Sequence, residues 1–425
     1  MRISLNVDVH HLTRVEGHGN IVVRVENGEV KTARWDIVET PRYFEVMLKG
    51  KHFTSAGILT ARICGICSIG HCLASLRATE NAFGAKIPPA AERLRLLAKH
   101  GETLQSHWLH LLFLAAPDFL GLPSVIPLIE ARPEVVGIAA RLKGLANRIC
   151  EVVAGRATHP VSLQPGGVAR RPRKDELLQL RDALQRSLQD IGAAAELFRT
   201  FPIPDFARET EFVSLAGRDE YPWIGGDLVS SDGVRRPEAG YREMTNEWVD
   251  ENNTSKWCKL SRESFAVGAL ARLNNNFNLL HPEARKMAAA LGLQPVCHNP
   301  FLNNAAQLVE CLHVTHDSLR LIDELLRDGE GPTRVEVKPR AGEGVGAVEV
   351  PRGILYHHYV YDRDGRVTRA NCVIPTTQNN RNIHLDLRAL AEKFSAQPGM
   401  TDEKLELLCS MLVRAYDPCI SCSVH

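Results

Sequence analysis

The sequence carries no excess of either charge: 51 Lys and Arg stand against 50 Asp and Glu in 425 residues. A nucleic-acid or acidic-membrane partner therefore has no electrostatic footprint to dock on. No apolar run approaches the roughly 18–20 residues that span a bilayer, and the N-terminus has no secretory apolar stretch. Internal repeats, low-complexity segments and a glycine-rich dinucleotide fingerprint are absent as well. The 11 cysteines are an odd number spread through a long chain. That pattern disfavours a disulfide framework and favours a metal site or reduced thiols. At about 100–200 residues per domain, the length allows two or three domains or one large one.

What is present is periodic. Asn20 to Val25 and Val30 to Val38 flank Asn27-Gly28, a pair suited to the positive φ angles of a type I′ hairpin turn. Helical spacing follows in Ile69, Leu73, Leu76 and Phe83, then in Leu94, Leu97, Leu104, Trp108 and Leu111 after Pro89. It returns between Pro133 and Gly155, in Leu177 to Phe198, and in Leu308 to Leu326. Phe201 to Lys259 shows no sustained period and reads as irregular connections between helices. Thr333 to Lys338, Ile354 to Tyr361 and Arg366 to Ile374, the last two around Asp364-Gly365, read as a second β segment. Thr401 to Ala415 reads as a capped amphipathic helix that Asp417-Pro418 ends. The expected fold class is mainly α with small β hairpins and sheets (α+β) around a helical bundle core. Its parts are an N-terminal β region at about 1–40, a helical core at about 54–330, a C-terminal β region at about 333–375 and a helix with tail at 401–425.

Two Cys-x-x-Cys pairs carry the chemistry: Cys64-Gly-Ile-Cys67 and Cys419-Ile-Ser-Cys422. Two intervening residues let both sulfurs of a pair turn toward one ion, and four thiolates make a soft site for zinc, iron–sulfur or another thiophilic metal. On spacing alone a structural zinc site explains the pairs as well as a catalytic one does, and a redox dithiol at either pair is a further reading. The surroundings tip the balance. Arg62, His71, Asp417 and His425 crowd the pairs, and a purely structural zinc site gains little from such donors and charges. Because the pairs lie at opposite ends of the chain, a shared site makes the protein one interdependent unit.

Arg62-Ile-Cys64-Gly-Ile-Cys67-Ser-Ile-Gly-His71 and Asp417-Pro-Cys419-Ile-Ser-Cys422-Ser-Val-His425 resemble the two signature motifs of the nickel–iron hydrogenase large subunit. Thr13-Arg14-Val15-Glu16-Gly17-His18 resembles that family's N-terminal element. Phe44-Glu45, Gly155-Arg156 with His159-Pro160, Pro165-Gly166-Gly167, Pro351-Arg352-Gly353 and Val373-Ile374-Pro375-Thr376-Thr377 match further segments in order. The resemblance implies the family's large-subunit fold and reversible heterolytic cleavage of hydrogen to protons and electrons. It implies Cys64 and Cys419 as terminal nickel ligands, with Cys67 and Cys422 bridging nickel to an iron that carries carbon monoxide and cyanide. Heterolysis needs a base for the proton. Glu16 is the implied proton relay, since a carboxylate in a dry pocket beside a metal can hold and release a proton. Arg352 is implied over the site, where a guanidinium can bind a cyanide or orient hydrogen. Thr376 is the implied hydroxyl donor to the other cyanide. Asp118 and Asp417 are expected to hold Arg352, and His71 to donate to a bridging sulfur. Glu45, His425 and the Cys372 backbone carbonyl resemble the ligands of a separate hard cation, usually magnesium.

Read alone, each residue has a plainer account: a surface glutamate, a strand-edge arginine, a packed strand threonine, a helix-terminal aspartate, a core histidine. Cys72, Cys150, Cys258, Cys297, Cys311, Cys409 and the Cys372 side chain are expected to behave as small buried apolar residues. Glutamine in Pro-Thr-Thr-Gln-Asn and the short chain look like the family's cytoplasmic branch. With no further cysteine cluster, electrons are expected to leave through a small subunit that carries the iron–sulfur clusters, possible further electron-transfer subunits lying beyond it. A cytoplasmic location is expected, although a partner's signal can export both chains. Family members are usually trimmed after the motif's histidine, so a sequence ending at His425 reads as a mature product or a member encoded without the extension. The alternatives are a relative of the complex I quinone-site subunit, whose kin have lost the cysteine pairs, and a zinc-stabilised scaffold of an oxidoreductase assembly.

Overall fold

Asn27 and Gly28 take the left-handed backbone of the expected turn and join strands Gly19–Glu26 and Glu29–Ile37. Alternate side chains of the first strand face inward, which buries Ile21, Val23 and Val25. A third strand, Leu5–Val9, adds to the expected pair. The chain is described by a computed structural model over residues 4–329 and 331–425.

The expected helices form at Ser68–Phe83, Pro89–Leu109, Pro133–Ala154, Lys174–Arg199, Asn303–Arg327 and Asp402–Ala415. Leu94, Leu97, Leu142, Ile149, Leu180, Leu184, Leu308 and Ile322 from their apolar stripes are buried in one hydrophobic cluster. Thr401 caps the last helix by accepting from the Lys404 N–H. The helix Pro89–Leu109 runs directly into a π turn at His110–Ala115 and then a short helix, Ala116–Phe119. A π turn holds an extra residue, so the side chains after it point differently from those of a continuous helix.

Four expectations give way. Phe201 to Lys259 contributes three strands of a four-stranded sheet, in the order Arg235–Pro237, Asp227–Ser230, Glu211–Leu215 and Phe265–Ala266. The strand Glu211–Leu215 is buried on both faces, so it lacks the alternation that would mark it. Thr333 to Lys338 is not a ladder strand; it meets the Gly166-Gly167 loop through Val168 N–H to Thr333 O and Val335 N–H to Gly166 O. The sheet instead gains Gly342–Val350, which pairs with Gly353–Tyr361 ahead of Val367–Val373. Pro375–Phe394 forms a helix that the Asn-rich sequence hid. Its Gln378 donates to the Ile354 carbonyl, its Asn379 accepts from the Val267 N–H and its Asn382 donates to Tyr416. Tertiary partners override the weak helix propensity of asparagine here. Of the cysteines expected to be buried thiols, all but the half-buried Cys297 are buried.

The strand Gly342–Val350 shows why it looked unlike one. A Cβ at Gly342, Gly344 or Gly346 would lie 2.2–2.5 Å from the carbonyl oxygens of Ala82, Ala78 and Ala74. Those alanines share one face of the helix Ser68–Phe83, so helix and strand meet backbone to backbone. A methyl added at such a contact costs about 1–3 kcal/mol. The interlock pins the helix whose N-terminal end bears Cys67.

Burial, aided by the Arg381 charge, lowers His384 from 6.5 to about 4, and its Nδ1 is buried without a partner. The unfolded chain binds this proton below pH 6.5 and the folded chain only near 4. Stability is therefore indifferent to this ring above pH 6.5 and falls as pH drops toward 4. His384→Leu is expected to change little at neutral pH and to recover about 3 kcal/mol near pH 4. Denaturant unfolding at the two pH values checks this; equal effects at both would refute it.

Candidate metal centre

The sulfurs of Cys64, Cys67, Cys419 and Cys422 lie within 4.8 Å of one another and are all buried. Across the two pairs, Cys64 stands 3.6 Å from Cys419 and Cys67 stands 3.8 Å from Cys422. Cys419 and Cys422 are also in direct contact with each other. Cys64 Sγ accepts from the N–H groups of Ile66 and Cys67, at 3.2 and 3.1 Å. The Cys67 thiol, those amides and the Arg352 charge outweigh burial and lower the Cys64 pKa, while Cys64 and burial raise that of Cys67. Cys67 stands at the N-cap position of the helix Ser68–Phe83, with no hydrogen bond from the helix amides to its sulfur. Four convergent sulfurs beside a buried cation fit a thiophilic metal centre.

Two devices bring the chain ends together. Glu16 and Cys419 form a parallel bridge, with the Ile420 N–H donating to the Glu16 carbonyl at 2.9 Å. A Cβ on Gly17, whose φ is +87°, would lie 2.7 Å from the Ile420 Cβ, so this approach needs glycine. Arg42 is the second device. Its guanidinium donates to the carbonyls of Ile63 and Ser421, and its own N–H donates to the Val424 carbonyl. One cation thus clamps the backbone beside both cysteine pairs.

The half-buried Glu16 carboxylate accepts from Ser421, by hydroxyl at 2.6 Å and by N–H at 3.1 Å. Arg352 occupies the turn between Gly342–Val350 and Gly353–Tyr361. It donates through Nε to the Asp417 carbonyl at 2.6 Å and through Nη2 to the Asp417 carboxylate at 2.8 Å. Its pKa is raised because Asp417, Cys67, Cys64 and Glu16 outweigh its burial. Thr376 stands in the first turn of a helix, not on a strand. Its Oγ1 accepts from the Cys419 N–H at 2.9 Å, which leaves its own proton to donate.

Two expected roles are corrected. Asp118 does not hold Arg352; beyond the π turn it faces Arg414, at 2.9 and 3.0 Å, and Arg14. Ser106, on the preceding helix, is the group that faces Arg352, at 3.4 Å. His71 does not reach a sulfur among the described residues. Packing of its helix on strand Gly353–Tyr361 sets its Nδ1 3.1 Å from His357 Nε2, and His357 Nδ1 lies 2.6 Å from the Tyr359 hydroxyl. Burial holds His71 well below its ordinary pKa and His357 at about 3.

Glu45, Cys372 and His425 form a second convergent group. Glu45 accepts from the Cys372 N–H at 2.7 Å and lies 3.6 Å from His425 Nε2. Burial alone would raise Glu45, but the His425 ring and the Cys372 N–H outweigh it and hold the carboxyl at about 2. His425 Nδ1 donates to the Cys422 carbonyl at 3.0 Å, leaving Nε2 for another partner.

Arg42, Ser106, His110 and Gln307 belong to this site and have no signature in the sequence.

The family model for nickel-dependent hydrogenase matches residues 42–134 and 224–425, and a HoxL-like model matches residues 6–40. The sulfhydrogenase 2 alpha subunit of Pyrococcus furiosus is 35% identical, covering 99% of this chain and 98% of its own. The beta subunit of the NAD-reducing hydrogenase HoxS from Cupriavidus necator is 31% identical, covering 100% and 95%. A crystal structure of an NAD+-reducing [NiFe]-hydrogenase in the H2-reduced state superposes with a TM-score of 0.88 at 29% identity, covering 100% of both chains. With these matches spanning both cysteine pairs, the chain belongs to the nickel-dependent hydrogenase family, as a catalytic large subunit and thus an oxidoreductase acting on hydrogen.

Proposed function

We propose that Cys64, Cys67, Cys419 and Cys422 would hold a nickel–iron pair whose iron would carry carbon monoxide and cyanide. The convergence of four buried sulfurs from opposite ends of the chain carries this reading. The bound metals supply the Lewis acidity and electron exchange that make hydrogen acidic. The chain supplies the rest. Glu16 takes the proton and passes it outward by way of Ser421, whose hydroxyl it already binds. Arg352, held by Asp417, presents its remaining N–H groups to a cyanide or to incoming hydrogen, and the free Thr376 proton serves the other cyanide. Asp118, through Arg14 and Arg414, steadies the segment that bears Glu16.

Glu45, His425 and the Cys372 carbonyl would hold a magnesium or similar hard cation beside the tail, the carboxylate supplying the kind of oxygen donor such an ion takes. A thiol is a poor magnesium donor, which favours the carbonyl of Cys372 over its sulfur. Among the described residues no third group of ligating side chains converges. Electrons pass to a partner small subunit with iron–sulfur clusters, and from it to further electron-transfer subunits, a reading supported by the likeness to single subunits of named hydrogenases. No described helix is long and apolar enough to cross a membrane. We place the protein in the cytoplasmic branch on its likeness to an NAD-reducing relative and a sulfhydrogenase.

Elemental analysis and infrared spectroscopy of the purified complex test this reading. Stoichiometric nickel and iron with bands of metal-bound carbonyl and cyanide are expected. Stoichiometric zinc without nickel, and no such bands, would sink it.

A further inference from the structure

The helix Asn303–Arg327 is buried over its first turns, yet it places Asn303, Gln307 and Glu310 there at a spacing that shares one face. Each is engaged. Asn303 donates to the Ala415 carbonyl at 2.7 Å, and Glu310 accepts from Arg272 at 2.6 Å and Tyr221 at 2.8 Å. Between them, Gln307 donates through Nε2 to Asp417 Oδ2 at 3.2 Å. With its nitrogen committed to a carboxylate, the Gln307 oxygen points the other way and lies 2.6 Å from His110 Nδ1. The opposite nitrogen of His110 lies 2.7 Å from the Arg414 carbonyl. His110 opens the π turn, directly after the helix Pro89–Leu109.

We infer that Gln307 and His110 form a strut that fixes the Asp417 carboxylate and, through it, sets Arg352 beside the four sulfurs. Asp417 lies on left-handed backbone, at φ 50°, and holds Arg352 with Oδ1 and its carbonyl. Gln307 is the one donor to Oδ2 among the described residues. Without it the carboxylate is free to turn about its last torsion, which loosens the Nη2 contact and leaves the guanidinium held by its Nε bond to the Asp417 carbonyl. Asn303 performs the matching task on the backbone, tying the Ala415 carbonyl two residues before Asp417. Neither Gln307 nor His110 touches a sulfur. Both are positioning residues, and the buried π turn is part of the site's support.

The inference rests on the hydrogenase reading of the four cysteines. Its test uses the complete enzyme with its small subunit, nickel and iron assayed first. Gln307→Met keeps the volume and removes the donor. It is expected to keep wild-type metal content, shift the g-values of the nickel EPR signal and lower kcat about tenfold, with KM for the electron acceptor unchanged. His110→Phe is expected to do the same, and His110→Gln, which restores an N–H toward Gln307, to recover most of the loss. Unchanged EPR and kcat in fully loaded Gln307→Met would overturn the strut, as would a lowered melting temperature with no spectral change. If Gln307→Met does not accumulate, equal losses in His110→Phe and His110→Gln would overturn it. Wild-type protein that lacks nickel would instead overturn the hydrogenase reading itself.

Discussion

Glu16→Gln is expected to leave nickel and iron in place while slowing hydrogen/deuterium exchange with water by about two to three orders of magnitude. The substitution preserves shape, and the amide oxygen still accepts from Ser421, where the carboxylate now receives both the hydroxyl and the N–H. What it removes is a group that can bind and release a proton. The bridge between residue 16 and Cys419 is made by backbone, so the amide variant keeps the tail in position. A loss of exchange can then be assigned to proton transfer and not to a displaced ligand. Mass-spectrometric exchange between deuterium gas and water, with metal content measured on the same sample, is the deciding measurement. Wild-type exchange in the loaded variant would mean that protons leave by another route.

Cys64→Ser is expected to have a different and larger effect: loss of nickel by at least about tenfold and of all turnover with it. Serine keeps the size of the side chain, but its hydroxyl does not ionise as a thiol does, and oxygen is a poor match for a soft metal. Among the described residues no other ligand converges on it, the second group being Glu45, Cys372 and His425. Cys409→Ser is the control. Cys409 is buried, its thiol pushed up to about 12 by burial, and it lies in the hydrophobic cluster; the metals should be untouched. Full nickel and iron in Cys64→Ser would end the four-thiolate assignment.

How much of this was legible depended on whether a residue's role is local. Cys-x-x-Cys spacing reports itself, because two residues suffice to turn both sulfurs one way. So do Asn27-Gly28 and the apolar stripes of the long helices, which encode turn geometry and burial within a few positions. Asp118, carried over from the family resemblance as a partner of Arg352, instead pairs with Arg14 and Arg414, distant arginines that its local sequence does not announce. Arg42 and Gln307 look like any arginine and any glutamine; their meaning comes from partners at Ser421 and Asp417, 379 and 110 positions away. The strand Gly342–Val350 was illegible for a related reason. Its glycines lack strand propensity, and only the helix they face explains them.

That helix-on-strand contact bears on how finely the sulfurs can be placed. A joint made of side chains has slack, because a crowded leucine can change rotamer. The joint between Ala74, Ala78, Ala82 and Gly342, Gly344, Gly346 has no rotamers to change. Its separation is set by peptide units alone and is as uniform as covalent geometry. The position of Cys67 is thus referred to a fixed datum in the sheet whose next turn carries Arg352. Sulfur and guanidinium, which must face the same metal-sized gap, are gauged from one rigid edge. Chain segments that arrive from opposite ends then meet against one backbone edge.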